Sequence, residues 1–143
     1  MFPLLLIGTG LAILLKELFS ADNELKKIST EHIYCVYLNK HYEKTNEPTL
    51  KANITKSINK ITKQYKGFKI GKTGNPPVIN MNHKEYSEMF LLCESKNPEF
   101  IYTLESIYNK KFIEHKKNDN KKEGSAGICK SVDGKFYLYI VVR

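Results

Sequence analysis

Apolar positions along the chain change period several times, and each change marks an element. Residues 1–15 carry no charge and are dense in leucine and isoleucine, from Leu4 through Leu15. The stretch 32–38, with Ile33, Tyr34, Val36 and Leu38, is β-branched and aromatic and reads as a first strand. In 49–65, Leu50, Ile54, Ile58, Ile61 and Tyr65 recur at helical spacing, with most lysines off that stripe. Pro48 suits the first turn of this helix and Gly67 its stop. A second strand is expected over 67–71, a short helix over 82–88 and a third strand over 89–93. Pro98 then opens a helix to about residue 115, with Phe100, Ile101, Leu104, Ile107, Tyr108 and Phe112 as its apolar face. Finally, Asp133-Gly134 between the runs 128–132 and 135–142 signals a β-hairpin.

The expected fold class is therefore α/β: a small mixed sheet flanked by helices, preceded by an N-terminal apolar helix. Residues 1–21 form the apolar segment, 22–31 a linker or helix stub, and 32–143 the α/β domain, with a helical insert at 39–66. As a helix, the uncharged run spans roughly 22 Å, against about 30 Å of bilayer hydrocarbon. Leu18 and Phe19 extend it if Lys16 snorkels. An uncleaved membrane anchor through residues 1–19 is the favoured reading. It stands over a buried core helix and over a secretory signal, which lacks a basic leader and small residues before a cleavage site.

Composition adds a charge of +8, carried almost wholly by lysine, since the single arginine is Arg143. A lysine-rich surface favours nucleic acid or anionic lipid, or is simply a solvated face. Lysines following an anchor favour a cytosolic or matrix side. Cys35, Cys93 and Cys129 have no close pair, so they read as free thiols in a reducing compartment rather than a zinc or disulfide set. Together these point to a membrane location with a single N-terminal anchor, the mitochondrial inner membrane with the domain in the matrix being preferred.

Two motifs carry candidate chemistry. Gly71-Lys72-Thr73 ends like a phosphate-binding loop, but Gly67 stands one residue too close for that loop to form. Glu105 lies on or beside the apolar stripe of its helix, four residues after Ile101 and three before Tyr108. A carboxylate there is either a boundary residue meeting a neighbouring lysine or a metal ligand facing the sheet.

The motif order resembles the GIY-YIG nuclease superfamily, in its branch where the second motif reads Lys-Ile-Gly-Lys-Thr. It runs from Ile33-Tyr34-x-Val36 through Lys69-Ile70-Gly71-Lys72-Thr73, His83 and Leu104-Glu105 to a late asparagine. The resemblance covers roughly residues 32–142. It implies tyrosines of the first two strands that help activate water, an arginine that steadies the phosphate, and a glutamate holding one divalent ion, often magnesium. Tyr34 matches the first tyrosine and Glu105 the metal ligand. Asn120, or Asn118, matches the asparagine that supports the site. His32 replaces the first glycine, Lys69 stands where many members carry the second tyrosine, and Val78-Ile79-Asn80 stands where the arginine belongs. Lys72 or Lys84 would supply charge without the planar fork.

The expectation is a catalytically inactive GIY-YIG-like domain serving as a membrane-anchored accessory subunit, with other subunits of a membrane complex as partners and no cofactor. Its vestigial site residues are Tyr34, Lys72, Glu105 and Asn120. The alternative is a membrane-associated nucleic-acid-binding protein or divergent endonuclease using Mg²⁺ on Glu105.

Overall fold

The computed structural model describes residues 26–27, 33–35, 47–76, 85–120 and 129–143. The elements in chain order are β1 (Lys26–Lys27), β2 (Ile33–Cys35), α1 (Glu47–Lys63), β3 (Phe68–Thr73), β4 (Glu88–Ser95), α2 (Pro98–Phe112) and β5 (Phe136–Val142). They form an α/β fold on one mixed sheet of order β1-β2-β4-β5-β3. The β2–β4 pairing is parallel; β1–β2, β4–β5 and β3–β5 are antiparallel.

Strand alternation sorts the side chains onto two faces. One row runs Tyr34, Phe90, Ile140, Ile70 across four strands. On this face α1 lays Leu50, Ile54, Ile58 and Ile61, and α2 lays Ile101, Leu104, Tyr108 and Phe112. A register shift between Leu91 and Cys93 puts both Leu92 and Cys93 into this core, which is what one extra residue in a strand does. Tyr108 ties the helices together, its hydroxyl donating to the Lys51 carbonyl at 2.8 Å. The opposite face carries Ile33, Met89, Leu91, Tyr137, Tyr139 and Val141, with Tyr86 packed against them.

Both long helices start where the sequence marks them, but α1 ends at Lys63, short of Gly67, which lacks the left-handed backbone of a helix stop, and α2 ends at Phe112. Asn97 caps α2 by accepting from Glu99 N at 3.0 Å, and Pro98 follows it. Glu47 in the first turn of α1 and Lys60 and Lys63 in its last turn suit the helix dipole.

Four further expectations change. Residues 129–132 do not form a hairpin with β5, because β5 already has β3 on one side and β4 on the other. Gly134 keeps the left-handed backbone (φ 80°) that the Asp-Gly pair promised. Asp133, however, closes a local turn, accepting from Lys135 N and from the Tyr137 hydroxyl. Ile107 is exposed, and its place on the buried side of α2 is taken by Glu105 and Asn109. Lys26–Lys27, within the expected linker, pairs with β2. Cys93 is buried in β4, but Cys129 lies outside any strand and is half-buried.

Of the expected helix over 82–88, residues 82–84 lie outside the described residues, while 85–87 are not helical and Glu88 begins β4. Among the described residues no helix is long and apolar enough to cross a membrane, and the expected anchor over 1–21 lies outside them.

Candidate functional site

The polar centre of the fold lies between β3 and α2. Lys72 is on the helix-bearing face of β3, since its register partner is Leu138 of the main core. Glu105 is on the sheet-facing side of α2. Their Nζ and Oε1 atoms are 2.7 Å apart, and the two side chains are only 4% and 5% exposed. This is a buried ion pair, in which each charge offsets the other's loss of water.

The surroundings are specific. Lys72 Nζ lies 5.1 Å from the centre of the Tyr102 ring, within cation–π range. The Tyr102 hydroxyl accepts from Cys129 N at 2.9 Å. Asn109, wholly buried, donates to the Glu105 carbonyl at 3.1 Å and to the Ile70 carbonyl at 3.4 Å. Tyr102, Glu105 and Asn109 thus form a polar stripe at i, i+3 and i+7 on α2, facing β3.

Tyr139 crosses Gly71, where any Cβ would run into its phenol ring. Burial pushes the Tyr139 hydroxyl well above the usual tyrosine range, and the Glu105 charge and Cys129 push it the same way. Burial also raises the Cys129 thiol, with Lys72 pulling it down and Glu105 up. None of these groups is poised as a nucleophile at neutral pH.

Asn120 serves the backbone. Its Oδ1 accepts from Ile70 N at 3.0 Å and its Nδ2 donates to Ile70 O at 3.3 Å, so it mimics a strand on the outer edge of β3. Asn118 does related work, donating to the Phe112 carbonyl and bridging to Phe68.

Tyr34 is elsewhere. It stacks on Phe90 with ring centres 5.5 Å apart. Burial, and secondarily Glu88, raise its hydroxyl pKa. Two strands stand between β2 and β3, a separation of about 14 Å at the usual strand spacing. The structure therefore brings Lys72 and Glu105 together, sets Asn120 beside them through Ile70 and Asn109, and leaves Tyr34 across the sheet. His83 and Lys84 lie outside the described residues.

Glu105 meets a lysine, but inside the core rather than at its boundary. A divalent cation does not fit this arrangement, because the carboxylate is engaged by an ammonium that would sit against the ion. Among the described residues no three histidine, cysteine or acidic side chains converge.

Sequence reasoning missed Tyr102, Asn109 and Tyr139. The first two were visible in principle as the polar stripe sharing the Glu105 face. Tyr139 was visible as one of the alternating aromatics of β5. No family model matches the chain, and no curated protein or solved structure matches it.

Proposed function

We propose that this chain is a catalytically silent accessory domain, GIY-YIG-like in its motif order, whose former site positions now serve packing. The observation that carries the reading is the buried Lys72–Glu105 pair. The carboxylate that the resemblance makes a metal ligand is neutralised by the lysine of the second motif itself. Two further observations agree with it. Tyr34 lies on β2, with two strands between it and the Lys72 strand, and Asn120 is engaged by the β3 backbone. A phosphodiesterase without a preorganised cation or guanidinium loses orders of magnitude in rate, on the scale of about 10²–10³ per missing donor. Such a domain acts by what it holds rather than by what it cuts. Its partners are other subunits of an assembly.

The test is incubation of the full chain with duplex and branched DNA in Mg²⁺ or Mn²⁺. No cleavage above the buffer control is expected. Cation-dependent cleavage that disappears in Glu105→Gln would overturn the proposal. Exposed Lys56, Lys63, Lys110 and Lys111 favour a second reading, non-catalytic binding to polyanions. That reading requires retention on duplex DNA that weakens steeply between about 50 and 200 mM salt.

A further inference from the structure

Lysines collect at one end of the molecule. The Tyr108 hydroxyl of α2 donates to the Lys51 carbonyl near the start of α1. Lys117, just past the end of α2, donates from Nζ to the Thr62 carbonyl in the last turn of α1 at 2.8 Å. Both helices therefore run toward the same end. β3 begins there too, since Phe68 N bonds to the Lys117 carbonyl and the His115 ring packs edge-on against Phe68. Segments 60–66 and 110–118 build this end and hold seven lysines against one acid, Glu114, which is six of the chain's net charge of +8. Five of these lysines, Lys63, Lys66, Lys110, Lys111 and Lys116, are exposed. Among the described residues none of the five is in an ion pair.

The simplest account is that lysines offset the partial negative charge at helix C-termini. Two helix ends present about −1 in all, and Lys117 already binds a terminal carbonyl of α1. The excess of lysine is several-fold larger, and crowding it together weakens the fold by self-repulsion. The form of the charge then selects the partner. Nucleic acids are gripped by guanidinium forks and by rings open to stack on bases. Here the single arginine is committed to Asp119. His115 packs on Phe68 and Phe112, and Tyr65 packs on Phe90. What remains is a field of flexible point charges, which a plane of anionic headgroups satisfies without exact geometry. Ile107, 37% exposed, lies one turn before Lys110 and Lys111 on α2 and sets an apolar group at the margin of that field.

We propose that this lysine-rich end docks on an anionic lipid surface, with Lys63, Lys66, Lys110, Lys111 and Lys116 facing the headgroups. Each lysine close to such a surface multiplies binding about fivefold, so five together favour it over a neutral surface by about 10³-fold. The proposal is independent of the silent-site reading and competes with duplex DNA for the same lysines.

The test measures partition of the full chain onto phosphatidylcholine vesicles, with and without roughly a third phosphatidylserine. The uncharged run 1–15 is present in both arms, so their ratio reads the contribution of charge. Binding is expected to be about 10³-fold tighter on the anionic vesicles. It should fall to the neutral level in about 1 M salt, where the screening length is about 3 Å. Lys63→Gln/Lys116→Gln should weaken anionic binding about 25-fold. Lys96→Gln/Lys130→Gln removes the same charge from the opposite end, where Lys96 precedes the Asn97 cap of α2 and Lys130 lies against Gly74 beyond β3. That variant should lose less than about threefold, its charges being more than a screening length from the docked end. All four positions are exposed, and unchanged urea midpoints check that both variants keep the fold. Equal losses in the two variants, or binding indifferent to phosphatidylserine, would overturn the proposal. So would duplex DNA, at equal phosphate concentration, stripping the protein from the vesicles, which would make nucleic acid the partner. Nuclease activity reads on none of these outcomes, so the two proposals fail separately.

Discussion

Lys72–Glu105 and Arg143–Asp119 both hold β3 in place, one from within the core and one from its rim. The first is a single contact of 2.7 Å between side chains about 95% removed from water. The second is a two-pronged contact of 2.8 and 2.9 Å, with Arg143 47% and Asp119 23% exposed. By geometry alone the outer pair is the better one, since the guanidinium fork meets both carboxylate oxygens. Environment reverses the order of consequence. A charge at the rim that loses its partner turns to water, whereas Lys72 or Glu105 left without the other is kept from water.

The largest effect expected is from Glu105→Ala, which strands the Lys72 ammonium. A loss of about 3–5 kcal/mol is expected, read by urea denaturation, with the thermal midpoint falling by roughly 10 °C or more. The double variant Lys72→Met/Glu105→Leu removes both charges and should recover most of that loss. A double variant as unstable as the single one would mean the pair is intrinsically stabilising, and the comparison would fail.

Gly71→Ala tests the same strand from its other face without touching a charge. The added methyl meets the Tyr139 ring, which must shift within a closed core. Overpacking of this kind costs about 1–3 kcal/mol, and Gly71→Ala with Tyr139→Leu should be milder. An unchanged denaturation midpoint in the single variant would show that the site has slack.

The smallest effect belongs to the rim. Asp119→Asn should cost less than about 1 kcal/mol and should lose even that in molar salt, where wild type and variant converge. Here acid is informative. The hydrogen bond from Arg143 holds the Asp119 carboxyl below the usual aspartate range; burial opposes this and the Tyr86 hydroxyl assists. The folded state therefore binds this proton less readily than the unfolded chain. The contribution is complete above the ordinary aspartate pKa near 4 and fades as pH falls through the lowered value. The difference in stability between wild type and Asp119→Asn, measured from pH 6 down to pH 3, should shrink toward zero. A difference that grows in acid would contradict the assignment.

These two pairs also show what the sequence made legible. Period and capping residues located α1 and α2, and the apolar runs located β4 and β5, because those signals are local. Glu105 could be seen on a buried stripe, and a lysine partner could be expected. Which lysine it would be could not, since Lys72 lies 33 residues away and meets it only through tertiary packing. The failed hairpin has the same cause. Asp133-Gly134 does turn the chain, but Cys129 N is taken by the Tyr102 hydroxyl and Val132 N by the Gly74 carbonyl. Tyr34 was placed by motif order, yet strand order in the sheet decided its neighbours.

The seal along the outside of β3 reaches beyond this one molecule. Phe68 N bonds to the Lys117 carbonyl, Phe68 O accepts from Asp119 N, and both backbone groups of Ile70 are met by the Asn120 amide. A foreign strand arriving there finds its docking points already taken. Self-templated growth into fibrils is thereby denied a starting rim on this side. Loss of the Asn120 amide would reopen it before the fold itself gave way.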